Sequence, residues 1–174
     1  MAEPQDTITA VEETKQALVD LIEGVATTAQ VIDRFVFDPN EDNWVGLLRS
    51  SADLDSNGDQ RIHTICVYYD GFDFTDPGVS STLASINPLL PFGLVFYHGY
   101  ELGTNANNSE KRLMAEFLTV MYELAHNTDL TVREHVKGHR NLRAPRINLR
   151  LFGAYPVQYV LGRIDVLMQS RVIR

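Results

Sequence analysis

Gly93-Leu94-Val95-Phe96-Tyr97-His98-Gly99-Tyr100-Glu101-Leu102, and then Asn107-Asn108-Ser109-Glu110-Lys111-Arg112-Leu113-Met114-Ala115-Glu116-Phe117-Leu118-Thr119-Val120-Met121-Tyr122-Glu123-Leu124-Ala125-His126, decide how this chain folds. The first run, taken from Phe92 to Leu102, is rich in aromatic and aliphatic residues and reads as a strand. The second opens on Asn108 or Ser109 as an N-cap and extends to about His126. Leu113, Phe117, Val120 and Leu124 make one stripe along it, with Met114, Leu118, Met121 and Ala125 beside them. A stripe that broad is expected to lie flat on a sheet, with the methionines as core filler rather than a ligand pocket.

Downstream, residues 127–145 are polar and basic and read as a solvated loop. Arg146 to Leu151 then alternates, with Ile147, Leu149 and Leu151 inward. Gly153 and Pro156 mark a turn, and Val160 to Gln169 forms a last strand. Ile164, Val166 and Met168 take one of its faces; Arg163, Asp165 and Gln169 take the other.

Upstream, a long helix is expected from Thr7 to Phe35. Thr9 and Glu12 are spaced as a capping box, and Val11, Leu18, Leu21, Ile22, Val25 and Ala29 form the stripe. Gly24, Val25, Thr27 and Thr28 weaken its second half and predict a break near Gly24. Two β-like runs, Trp44–Leu48 and Ile62–Tyr69, are joined through Asn57-Gly58 and read as a hairpin. Residues 70–91 carry Gly71, Pro77, Gly78, Pro88 and Pro91 and read as loop, with a short helix within Ser80–Asn87. These elements predict one α+β domain over residues 1–174. Its antiparallel or mixed β-sheet carries the long N-terminal helix and the second amphipathic helix.

The bulk numbers are those of a globular chain: 174 residues, 44% hydrophobic and 22% charged. No apolar run is long enough to cross a bilayer, and Met1 to Asp6 lacks the form of a secretory signal, so no membrane partner is expected. The single cysteine, Cys66, excludes an internal disulfide and reads as a small buried strand residue. Net charge is −8, but it is divided unevenly: residues 1–80 hold sixteen acidic and four basic side chains, and residues 81–174 hold seven and eleven. An acidic chain is a poor candidate for sequence-specific binding of duplex nucleic acid. One acidic and one basic region suit head-to-tail packing between copies of itself.

The strongest local motif is Asp53-x-Asp55-x-Asn57-Gly58-Asp59, which matches the opening of a calcium loop. Thr64 stands where that loop needs a bidentate glutamate, and Gln60 where it needs an aliphatic residue. A hairpin tip rich in Asp, Asn and Gly explains the segment without an ion, and a weak calcium module is the alternative. His135 and His139 are four residues apart but have no third ligand in register. His63 and His98 fall within strands and read as structural histidines. No phosphate loop or nucleophile elbow is complete, so neither catalytic residues nor a cofactor is expected.

The ordered features resemble the neck and tail-terminator proteins of tailed bacteriophages. Ile32-Asp33-Arg34-Phe35, Trp44 and Arg61-Ile62-His63-Thr64 are similar to the first half of that family. Tyr97-His98-Gly99-Tyr100, Ser109-Glu110 and Gly162-Arg163-Ile164-Asp165-Val166 are similar to its second half. The resemblance implies a non-enzymatic virion protein, assembled in the host cytoplasm as a ring, commonly a hexamer. That ring caps the tail tube and joins it to the head connector, with the tube protein and the connector or stopper as partners. Related folds serve as stopper, tube and tail-completion rings. Arg133, Lys137, Arg140, Arg143 and Arg146 are the expected interface, with non-specific contact to passing DNA as the competing use of the same charges.

Overall fold

The computed structural model describes residues 4–36, 44–70, 89–99, 106–126, 136–142, 148–152 and 155–168. Helix α1 runs Pro4–Val25. A proline is tolerated in a first turn because the N–H it lacks is one the helix leaves unbonded. Thr9 and Glu12 therefore lie inside the helix rather than capping it, and Glu12 pairs with Lys15 at 2.9 Å. Ala10, Thr14, Ala17, Leu18 and Ile22 form the buried stripe.

The helix stops well short of the expected Phe35. Ala26 N–H still donates to Ile22 O at 2.8 Å, and the chain then turns into strand β1, Gln30–Ile32. Gly24 and the β-branched Val25, Thr27, Thr28, Val31 and Ile32 favour extended backbone over further helix, and tertiary pairing completes the change. β1 lies parallel to strand β3, Gln60–Tyr69, with Val31 opposite Ile65.

Trp44–Leu48, expected as a strand, instead forms the short helix α2, Trp44–Leu47, and strand β2 follows at Arg49–Leu54. A five-residue apolar run does not distinguish the two by period. The fully buried Leu48 lies at the junction, where its carbonyl accepts His63 N–H at 3.0 Å and Thr64 Oγ1–H at 2.7 Å. A hairpin does turn at Asn57-Gly58, but its first strand is β2 rather than the expected Trp44–Leu48. Gly58 at its tip has φ 85°, a conformation that favours glycine.

Strand β4, Leu89–Gly99, pairs antiparallel with β3 on one side and with strand β7, Tyr155–Met168, on the other. That central position explains its continuous buried run from Leu90 to His98. Pro91, expected in the preceding loop, lies within β4. It sits just beyond the last β3 pair, Tyr69 with Phe92, where a missing N–H costs no bond to β3.

The basic segment also differs from the loop expected there. Strand β5, Val136–Leu142, pairs antiparallel with β7 across a bulge near Lys137, and strand β6, Asn148–Phe152, pairs with the first residues of β7. A strand at the end of a sheet tolerates polar side chains, so its composition resembles that of a loop. The sheet order is β1-β3-β4-β7-β5, with β2 added on β3 and β6 on β7. Lys137 and Arg140 lie in β5. Arg133, Arg143 and Arg146, together with the expected 80–87 helix, lie outside the described residues.

Helix α3 spans Ala106–His126, so Asn108 and Ser109 fall in its first turn rather than before it. It packs on β4, β5 and β7 and against α1; α1 packs on β1 and β3. One core joins both helices to Ile65, Val67, Phe92, Leu94, Phe96, Val160, Ile164 and Val166 on the facing side of the sheet. Phe96 meets Phe117 edge-on at 5.2 Å between ring centroids. Gly162 lets the helix approach: a Cβ there would meet Phe117 Cε2 at 2.9 Å and Met121 Sδ at 3.3 Å. The buried stripe is narrower than expected. Leu113, Phe117, Val120, Met121 and Leu124 are covered, whereas Leu118 is 56% exposed and Ala125 faces solvent. A second, smaller core on the other face gathers Val36, Leu48, Ile62, Cys66, Val95, Tyr97 and Val157.

Candidate functional site: a buried histidine–carboxylate cluster

Alternation along each strand sets which side chains face the helices. In β3, His63 is in phase with Ile65 and Val67; in β4, His98 is in phase with Leu94 and Phe96; in β7, Gln158 is in phase with Val160 and Ile164. The register then aligns them. His63 is the cross-strand neighbour of His98, and His98 is the neighbour of Gln158. A polar row thus crosses three strands on the core face, beneath the N-terminal half of α3.

Glu116 comes down from α3 onto that row. His63 Nε2 lies 2.7 Å from Glu116 Oε1, and His98 Nε2 lies 2.8 Å from Glu116 Oε2. The two imidazoles meet edge-on with centroids 4.3 Å apart. On its far side, His63 Nδ1 is 2.8 Å from Asp53 Oδ2, and Arg112 donates to the same oxygen at 2.8 Å. Thr28 Oγ1 stands 3.5 Å from that nitrogen. Asp53 belongs to β2, while Arg112 and Glu116 are one helical turn apart on α3. The cluster therefore joins the hairpin, the central strands and the helix.

Protons can be assigned from these partners. Both Glu116 oxygens accept, so each histidine carries a proton on Nε2. His63 Nδ1 faces the Asp53 oxygen to which Arg112 also donates, and His98 is a neutral Nε2–H tautomer. Burial pushes His98 below its ordinary range; the bond to Glu116 works against this, and the neighbouring His63 adds to it. Burial would raise the Glu116 carboxyl, but the hydrogen bonds from His63 and His98 prevail and hold it at about 2.

Access is narrow. His63 is 2% and His98 4% exposed, and the Arg112 side chain, 45% exposed, lies at the solvent edge. Such a cluster can brace the fold or hold an ion: one atom each of His63, His98 and Glu116 lie within 4.8 Å of one another.

The calcium-like segment is arranged differently. Asp53 is turned inward onto His63 and Arg112. Asp55 accepts from the backbone N–H of Asn57 at 2.8 Å and of Asp59 at 2.9 Å, closing the turn. These backbone donors, Asp59 N–H first and then Asn57 N–H, hold the Asp55 carboxyl below its usual range. Asp53 and Asp55 therefore point to different tasks. Cys66 is fully buried, and burial pushes its thiol up to about 11, which removes it as a nucleophile at neutral pH. Of the two surface histidines noted in the sequence, His139 lies in β5 and His135 lies outside the described residues.

Sequence reading reached His63 and His98 singly but missed Arg112, Glu116 and Gln158. A signal was present. Glu116 interrupts an otherwise apolar face between Leu113 and Phe117, and Gln158 occupies an inward phase of β7. Neither spacing reveals that they meet. Comparison with protein-family models and with curated proteins gives no match.

Proposed function

We propose that this chain is a ring-forming structural subunit of a tailed-phage neck, capping the tail tube and joining it to the head connector. The observation that supports the reading is which elements of the fold carry the acidic and the basic residues. The exposed Glu12, Glu13, Asp20 and Glu23 of α1 and Asp59 of the hairpin lie at the β1–β3 end. Lys137 and Arg140 lie at the other end, in β5. A closed ring needs two different, complementary patches per subunit, and opposite ends of opposite charge meet that need. The order of elements, helix then hairpin then strand then helix then closing strands, also fits the resemblance noted from the sequence.

Exposed ion pairs contribute only about 0–1 kcal/mol each, so charge orients the subunits and apolar contacts supply most of the affinity. Leu118 and Tyr122, 56% and 62% exposed and one turn apart on α3, offer such a contact to a second copy of the chain. The surroundings of the buried cluster favour the same reading, because its histidines and carboxylates are engaged with one another away from solvent. A neighbouring rung of the neck, as stopper, tube or tail-completion ring, uses the same geometry.

Charge reversal at Arg140 and Arg143 to Glu tests the proposal. Lost ring formation in negative-stain images, or tails of uncontrolled length, supports the interface. Intact particles with altered DNA ejection place the arginines in the lumen instead. A virion in which this protein forms no ring at the neck or tail overturns the proposal.

A further inference from the structure

The buried cluster has the composition and the support of a metal centre. We propose that His63, His98 and Glu116 bind one divalent transition-metal ion of the zinc class, with Gln158 supplying a further oxygen. The inference stands apart from the ring proposal and concerns only the interior of the subunit.

Four observations point this way. The two Nε2 atoms converge on opposite oxygens of one carboxylate, and all three residues come from different elements, so the convergence is a product of the fold. His63 presents Nε2 inward because Nδ1 is held by Asp53, which is itself held by Arg112. A carboxylate behind a ligating imidazole is the usual outer support of such sites, fixing ring orientation and tautomer. Gln158, only 3% exposed, neighbours His98 on the same sheet face. Its Oε1 is buried with no hydrogen-bond partner among the described residues. A brace made only of ion pairs leaves that oxygen unexplained; a fourth ligand position accounts for it.

The donor set selects the ion. Two imidazoles disfavour calcium and magnesium, which prefer oxygen throughout, whereas imidazole with carboxylate suits zinc and its neighbours. Zinc lies about 2.0–2.1 Å from nitrogen, which places tetrahedral ligand atoms about 3.3 Å apart. The present 2.7 and 2.8 Å contacts must open by roughly half an ångström as Glu116 shifts, and the set of ligand atoms, which now lies within 4.8 Å, must draw in toward that spacing through rotation of the imidazoles. Binding balances as follows. His63 gives its Nε2 proton to solvent and keeps Nδ1–H on Asp53, and His98 moves its proton from Nε2 to Nδ1.

The test uses the full, untagged chain, stripped with chelator and titrated with zinc chloride in a calorimeter. The expected result is saturable binding of one ion per chain, with cobalt giving the visible absorption of a tetrahedral site. Glu116→Gln and His98→Gln each weaken binding more than tenfold, and Asp53→Asn weakens it about 10–100-fold. The His135→Ala/His139→Ala variant binds as the parent does. If the cluster variants fail to fold, X-ray absorption at the zinc edge is measured on that double variant, where two imidazoles in the first shell are expected. No saturable binding overturns the proposal. So does binding kept in Glu116→Gln and lost in His135→Ala/His139→Ala, or a first shell with any other number of imidazoles.

Discussion

The hairpin tip and the buried cluster both gather acidic side chains, and they differ in every respect that matters. The hairpin tip, Asp55 to Asp59, is contiguous in sequence and exposed, and its carboxylate contacts are to its own backbone. The cluster of Asp53, His63, His98 and Glu116 spans more than sixty residues of sequence, is buried, and holds three strands to a helix. Asp53 and Asp55 are two residues apart yet belong one to each. Alternation along β2 sends the first inward, and the start of the turn keeps the second outside. Spacing along the chain therefore marks a turn well and a buried site poorly.

The largest expected effect follows from breaking the cluster. Glu116→Ala leaves the buried His63 and His98 without their shared carboxylate, beside a void, and losing one partner of a buried pair costs about 3–5 kcal/mol. At roughly 2–4 °C per kcal/mol for a chain of this size, the melting temperature falls by at least about 6 °C. Asp55→Ala at the tip lowers it by much less. Equal losses at the two positions would remove the distinction.

Next is the seat of α3 beside the cluster. Gly162→Ala drives a methyl group to 2.9 Å from the Phe117 ring, and overpacking of this kind costs about 1–3 kcal/mol. Gly58→Ala, at φ 85°, costs about 1–2 kcal/mol through backbone strain alone. Chemical denaturation with matched slopes ranks the two. A larger loss at Gly58 would put the tip, rather than the helix contact, at the centre of stability.

Much of the fold was legible because periodicity survives without coordinates. The α3 stripe, the existence of a strand at β6 and the Asn-Gly turn all have local causes. What was lost had non-local ones. β1 exists because β3 is there to pair with it, and β5 is a strand because β7 needs a neighbour, although its Lys, Gly, His and Arg residues read as loop. The candidate site failed in the same way. His63 and His98 were each visible, but the register that makes them neighbours, and the helix height that brings Glu116 between them, depend on the assembled sheet. The exposed Leu118, one turn from the exposed Tyr122, was assigned to the core because sequence gives the width of a stripe more poorly than its direction.

Acid separates the two regions more gently. In metal-free protein His98 and Glu116 both have folded values below their ordinary ones, so each stabilises at higher pH. The His98 contribution is present above about 6.5 and declines as pH falls below it. The Glu116 contribution is present above about 4.5 and is lost as pH falls toward 2. Melting temperature against pH should fall steadily on the acid side, and His98→Gln should remove the upper part of that decline. An unchanged curve in that variant would contradict the assignment of a neutral buried His98. The smallest effect concerns Cys66, whose burial and raised thiol predict no reaction with a thiol reagent at pH 8 until the protein is unfolded.

The claim that ion chemistry belongs to the buried cluster and not to the hairpin tip is tested most directly by one pair of melts on the same chelator-stripped, untagged sample. One is recorded with excess zinc and one with excess calcium, since an ion bound only by the folded state raises the melting temperature. The account predicts a clear rise with zinc and none with calcium; a rise with calcium and none with zinc would contradict it.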